Sequence, residues 1–216
     1  MNNIISLGIL GAAAIYCMGI AADAAPLATP GQDMKAPIMR AFGESTPPFG
    51  YVGFCASNPR ECTGGARKPR RMALSKSRWA ELNKINSYVN RSIRPTTDQD
   101  LYKTVEKWTY PSAGAGDCED YVLLKRKMLI ERGWPAESLL ITVVIDRNNG
   151  GHAVLTAVTD RGDLILDNQE KAIHRWNRTP YRYHKRQSQF HPSVWVSLTP
   201  NARAATITST RTKRGH

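Results

Sequence analysis

Apolar residues recur at spacings of three and four over residues 77–91, where Trp79, Leu82, Ile85 and Val89 share a face with Asn86. This period predicts a helix, with Ser75 or Ser77 available as its cap and Pro95 as its stop. Asn83, Asn86 and Asn90 are weak helix formers, so packing must hold it. A shorter helical stretch is predicted over 97–105. A third helix, over 117–132, is apolar on two sides: Cys118, Tyr121, Val122, Leu124, Met128 and Leu129 on one, Leu123 and Ile130 on the other. Such a helix is central in its fold, and Gly133 and Pro135 end it.

Beyond Pro135 the pattern changes to strands. Residues 138–146 are dense in Leu, Ile, Val and Thr, Asn148-Asn149-Gly150-Gly151 makes a turn, and 152–159 is again apolar and β-branched, which predicts a hairpin. Thr159-Asp160-Arg161-Gly162 turns the chain into a strand over 163–167, and further strands are expected over 181–186 and 193–198. Helices followed by antiparallel strands predict an α+β domain.

The termini read differently. Residues 4–20 are apolar, and Ala22-Asp23-Ala24 fits the small-x-small rule of a secretory signal, so 1–24 is expected to be cleaved near Ala24 and the protein to be periplasmic or secreted. No Lys or Arg precedes the apolar run, which leaves a retained anchor as the alternative, although the run is short of the roughly 20 residues a span needs. Residues 25–48 read as an extended lead-in, 49–198 as the domain, 67–78 as a solvated basic linker, and 199–216 as a disordered basic tail.

The chain has 216 residues and a net charge of +12. That length suits one well-packed domain. The charge suits an anionic envelope surface, and export argues against nucleic acid. Cys17 falls inside the leader, which leaves Cys55, Cys62 and Cys118. In an oxidising compartment an odd count means one pair and one free thiol. Cys55 and Cys62 bracket a short turn and are the natural pair, so Cys118 is free.

Cys118 sits between acids at a helix start, in Gly116-Asp117-Cys118-Glu119-Asp120-Tyr121. The unpaired N–H groups there favour a thiolate, whereas Asp117, Glu119 and Asp120 oppose one unless something neutralises them. A cysteine nucleophile needs a base, and the base needs an orienting group. His152 and Asp167 fit those roles if Val158 faces Asp163 across the second hairpin. Val154 then faces Asp167, and His152 and Asp167 become diagonal neighbours on one sheet face, about 7 to 8 Å apart at the backbone. His174, His184 and His191 lie among Arg, Lys, Tyr and Pro and read as surface residues. Trp108 and Tyr110 read as packing residues, with an indole or phenol donor also available to an oxyanion hole.

Three ordered motifs, Gly116-Asp117-Cys118-Glu119-Asp120-Tyr121, Gly151-His152-Ala153-Val154-Leu155 and Leu166-Asp167-Asn168, together with the segment from Phe54 to Cys62, resemble the bacterial transglutaminase-like cysteine peptidases. The resemblance implies a papain-like, transglutaminase-like core with a nucleophile helix packed on an antiparallel sheet. It also implies Cys118 as nucleophile, His152 as base and Asp167 as orienting acid, a protein substrate such as a surface adhesin, and calcium bound at Asp117 and Glu119. Two other readings stay open: acyl transfer to an amine, and a non-catalytic basic module that binds an anionic envelope polymer.

Overall fold

The computed structural model describes residues 36–65 and 68–200; the expected leader, its cleavage near Ala24, Cys17 and most of the basic tail lie outside the described residues. In chain order these residues form β1 (Glu44–Ser45), α1 (Phe49–Ser57), α2 (Lys76–Ser92), β2 (Arg94–Pro95), α3 (Asp98–Tyr102), β3 (Ala115–Gly116), α4 (Cys118–Ile130), β4 (Leu139–Ile145), β5 (Gly151–Thr159), β6 (Gly162–Leu166), β7 (His174–Arg175), β8 (Arg182–Gln187) and β9 (Trp195–Ser197). A seven-stranded antiparallel sheet runs in the order β1-β9-β8-β4-β5-β6-β7, and β2 and β3 form a separate parallel pair. The expected α+β architecture is present, with α4 packed across β5 and α2 packed against α4.

The near-continuous apolar runs of β4 and β5 follow from cover on both faces. Leu139, Ile141, Ala153, Leu155, Ala157, Leu164 and Leu166 face α4 and α2. Met39, Val144, Val154, Ile165 and Tyr183 form a second buried cluster on the other side. Thr142 and Thr156 are buried in this layer and bond to one another through their hydroxyls at 2.6 Å, which removes the cost of two unpaired hydroxyls.

Local chemistry explains the helix ends. Ser75 Oγ accepts the Arg78 N–H at 3.1 Å and caps α2. Thr97 does the same for α3 through the Asp100 N–H. Gly133, at φ 80°, follows α4 in the left-handed conformation that glycine adopts without strain.

Two segments depart from the pattern-based expectation. Residues 49–57 form a helix that apolar periodicity does not reveal. Its Tyr51 and Phe54 enter an aromatic cluster with Trp108, Tyr110 and Trp195, and Gly50 lies where a Cβ would collide with the Trp108 ring. Tertiary packing, not amphipathic spacing, specifies this helix. The Cys55–Cys62 disulfide ties its end to the following turn.

The basic stretch before α2 is also not simply solvated. Arg71 reaches the Thr159 carbonyl at 3.0 Å and the Asp163 carboxylate at 3.4 Å. Asp163, fully buried, also accepts from Arg186 Nη1 at 3.1 Å and from the Met39 N–H at 2.9 Å. One carboxylate therefore joins the N-terminal segment, the basic stretch, β6 and β8. Asp163→Ala would leave Arg186 buried without its partner and is expected to destabilise the protein by about 3–5 kcal/mol. Urea unfolding followed by tryptophan fluorescence measures this, and a loss below about 1 kcal/mol would show that water replaces the carboxylate.

Candidate active site

The site forms where the start of α4 meets the start of β5. The Thr159-to-Gly162 turn sets its register: Val158 pairs with Asp163 and Thr159 with Gly162, so the loop proper is Asp160-Arg161. This is the pairing that makes His152 and Asp167 diagonal neighbours, and His152 Nε2 lies 2.9 Å from Asp167 Oδ1 with both side chains buried. The next residue along β5, Ala153, donates its backbone N–H to Cys118 Sγ at 3.4 Å. His152 and Cys118 are thus brought to the same corner of the fold, while Sγ is bonded to Glu119 Oε2 at 3.2 Å and to Ala153 N–H rather than to the imidazole.

Asp167 is the best-provided carboxylate here. Besides His152, its oxygens accept from the Gln169 N–H at 3.0 Å and from the Tyr181 hydroxyl. Burial opposes its ionisation, but these donors outweigh it and hold its carboxyl below the ordinary range. An ionised Asp167 accepts from His152 Nε2–H, which leaves Nδ1 as a lone-pair acceptor; the Gln169 amide lies 3.4 Å from that atom. The Tyr181 ring packs edge-on against the imidazole with centroids 5.7 Å apart. Asn90 of α2 donates to the Asp167 carbonyl at 2.8 Å and so fixes the turn that carries it.

The opposite holds at the start of α4. Asp117 occupies the cap position of the helix, yet its side chain makes no capping bond and its Oδ1 is buried without a partner. The side chain therefore does not cap the helix. Asp98, at the start of α3, is buried; its Oδ2 accepts the Lys107 N–H and its Oδ1 has no partner. Asp98, Asp117 and Glu119 each offer an oxygen, all within 4.8 Å of one another. Asp120, buried like Asp98 and Glu119, adds a fourth carboxylate to the half-buried Asp117 and those two. One of its oxygens accepts the Thr109 N–H at 3.0 Å and the other is unpaired. Gly116 is required here, because a Cβ at that position would collide with the Asp120 carboxylate.

Crowded carboxylates favour protonation. Burial, and then the neighbouring Asp117 carboxylate, push Glu119 up to about 9. Burial, with Asp117 and Asp98 beside it, lifts Asp120 to about 7, and burial raises Asp98 as well. Burial and Glu119 push the Cys118 thiol well above its usual value, against the lowering effect of the Ala153 N–H. The acids thus win over the helix start, and the resting group is a thiol that donates to Glu119.

Sequence reading missed Asp98, Tyr181, Asn90 and Gln169. Asp98 is separated from Cys118 by nineteen positions of chain with no recognisable motif, and Tyr181 reads in sequence only as the start of the strand expected over 181–186. Trp108, available from sequence as an oxyanion donor, has its indole N–H bonded to Glu106 at 2.7 Å. His184 and His191 are exposed as expected, and His174 is half-buried at the sheet edge. No helix among the described residues is long and apolar enough to cross a membrane.

The family model of bacterial transglutaminase-like cysteine proteinases matches residues 41–203. Among solved structures, calcium-bound LapG of Legionella pneumophila is 27% identical, aligned over 57% of this chain and 71% of its own, with a TM-score of 0.48. EGTA-treated LapG from the same organism is 26% identical over 58% of this chain and 73% of its own, again with a TM-score of 0.48. No curated protein matches the chain.

The acid cluster makes stability pH-dependent. The folded values of Glu119 and Asp120 lie above their unfolded ones, so the folded state keeps protons that the unfolded chain releases. Their stabilising contribution is complete below the ordinary carboxyl range near pH 4 and is lost as pH rises toward about 9. Without divalent cations the melting temperature is therefore expected to fall from pH 5 to pH 8.5, and Glu119→Gln should flatten the upper part of that slope. A melting temperature that is flat or rises over this range in the unsubstituted protein would rule the effect out.

Proposed function

We propose that this chain, which belongs to the family of bacterial transglutaminase-like cysteine proteinases, hydrolyses a peptide bond through Cys118, His152 and Asp167. That the protein is a cysteine peptidase acting on protein follows from the family; the roles of these three residues, the envelope location and a surface adhesin as substrate are our reading. The observation that carries it is the 2.9 Å His152–Asp167 contact on the strand whose next N–H meets Cys118 Sγ.

In this reading the Cys118 thiol gives its proton to His152 Nδ1, the atom that the Asp167 bond leaves as a base. The sulfur forms a bond to the substrate carbonyl carbon, and the resulting imidazolium protonates the departing amine as the C–N bond breaks. Water then attacks the thioester, passing a proton to His152, and the acid product leaves as Sγ is restored. Asp167 keeps the imidazole in the required tautomer and offsets its charge. Tyr181 and the Gln169 N–H hold Asp167 in place.

The start of α4 fits a divalent cation. Three carboxylates with converging oxygens, two of them carrying a buried oxygen without a partner, are the donor set of a hard ion such as calcium. Asp98, Asp117 and Glu119 would hold it, Asp98 being an addition to the pair expected from sequence. Bound calcium would supply positive charge beside the thiol and so offset the acids that oppose its ionisation.

Cys118→Ala is expected to lower kcat/KM by at least about 1000-fold on a substrate found by N-terminal proteomics of envelope proteins. Retained cleavage would dismiss Cys118 as nucleophile. Product mass with and without an added primary amine separates hydrolysis from acyl transfer.

Calcium is expected to raise the melting temperature far more at pH 8 than at pH 5, where the carboxylates already hold protons. Asp98→Asn should weaken that response at least tenfold in calcium concentration. An equal response at both pH values would contradict a carboxylate-held cation.

A further inference from the structure

A cavity of about 420 Å³ lies beside the second half of α4, and none of the residues of the candidate active site lines it. Three stretches of chain wall it: α4 with the start of β4, the loop after β8, and the segment after α1. These walls are joined directly to one another. Ser193 Oγ donates to the Cys62 carbonyl at 2.6 Å, and Gln189 Nε2 donates to the Glu137 carbonyl at 3.1 Å. Gly65 approaches the Phe190 carbonyl so closely that a Cβ there would collide with it, and the Cys55–Cys62 disulfide anchors the same segment to α1. The cavity is therefore preformed, and its volume falls at the lower end of the roughly 300–1,000 Å³ of small-molecule sites.

One charge is buried in it. Arg126, from α4, is 7% exposed. Its Nε donates to the Leu139 carbonyl at 3.1 Å, and its Nη1 lies 3.5 Å from Glu61 Oε2, at the limit of a hydrogen bond. The two N–H bonds of Nη2 and one of Nη1 have no acceptor among the described residues. Those paired nitrogens are the fork onto which a carboxylate fits with two parallel bonds.

His191 adds a further donor. Its Nδ1 accepts the Ser193 N–H at 3.2 Å, which leaves the ring proton on Nε2, and the neighbouring Cδ2 lies against Gly65. Glu61 and Glu137 also line the cavity, but both are more exposed than Arg126, and the charge best shielded from water acts most strongly on a ligand. Ile130, Leu140 and Phe190 supply apolar surface beside these charges.

We propose that this cavity is a binding site for a small organic carboxylate with an apolar body, held by the Arg126 fork and the His191 Nε2–H. The site stands independently of the peptidase reaction: Arg126 follows Cys118 by eight residues of α4, or about 12 Å along the helix axis.

The probe is N-acetylphenylalanine, and its uncharged amide is the control. Each is titrated into full-length protein while the Arg126 Nε–H and the His191 ring are followed by NMR. The carboxylate is expected to shift both resonances saturably with a Kd of about 1 mM or tighter, and the amide to bind at least about tenfold more weakly. Arg126→Met, read at His191, is expected to abolish the response. Should that variant fail to fold, Ala136→Trp provides a second test, because Ala136 is an exposed residue of the cavity wall and an indole there fills the space. It is expected to weaken binding at least about tenfold. No saturable shift, equal affinity for the amide, unchanged affinity in Ala136→Trp, or shifts at the His152 ring in place of Arg126 would each overturn the proposal.

Discussion

Four carboxylates share the start of α4 with one thiol, and an interior of low dielectric cannot hold five ionised groups there without compensating positive charge. The helix N-terminus offers some. Its contribution reaches about 2 kcal/mol in partly buried geometries, little more than one pKa unit at about 1.4 kcal/mol each. Against it stand burial of the thiol and the contact with Glu119, which raise Cys118 well beyond its ordinary range. The side chains opposing ionisation therefore prevail over the backbone that favours it. The unpaired oxygens of Asp98, Asp117 and Asp120 are the visible sign of that imbalance.

At Asp167 the same functional group behaves in the opposite way, and donor count explains the contrast. Asp167 is as buried as Glu119, yet it receives bonds from His152, Tyr181 and the Gln169 N–H and stays ionised. Glu119 has the Cys118 thiol and a second carboxylate as its neighbours and is driven toward protonation. One pole of the site is thus finished by protein donors alone, and the other is left short of positive charge. The sheet explains the first pole, since its register and the turn held by Asn90 fix where Asp167 meets the imidazole.

Much of this was legible in the sequence wherever a short-range rule governed it. The two long helices and the hairpins follow from periodicity and turn chemistry, and the Cys55–Cys62 pair follows from spacing and parity; the register that aligns His152 with Asp167 is conditional on Val158 meeting Asp163, which turn chemistry alone does not decide. What was not legible depends on residues remote in sequence. Residues 49–57 contain two glycines and no amphipathic stripe, so their helix exists because Tyr51 and Phe54 fill an aromatic cluster assembled from distant segments. Asn86 and Asn90 read as weak points of a helix. Their value is in the carbonyls they hold, which belong to a turn some eighty residues away. Asp98 and Asp163 look like ordinary surface acids until the fold buries them.

The bond between Cys118 and Glu119 also constrains how the site must operate. In the resting arrangement the thiol proton points to a carboxylate that is itself driven toward protonation, and a proton shared between those two groups cannot at the same time be taken by His152. In our reading of Cys118 as nucleophile and His152 as base, activation therefore has to separate Sγ from Glu119 before the imidazole can take the proton. Rotating the thiol alone would leave a carboxylate in place beside a forming thiolate, which is the electrostatic obstacle once more. Drawing the Glu119 oxygen toward a cation shared with Asp98 and Asp117 would remove the competing acceptor and its charge in one movement. In our reading, then, the acid cluster and the nucleophile are a single device: the same carboxylate that restrains the thiol when the cluster lacks a cation is the one whose capture frees it.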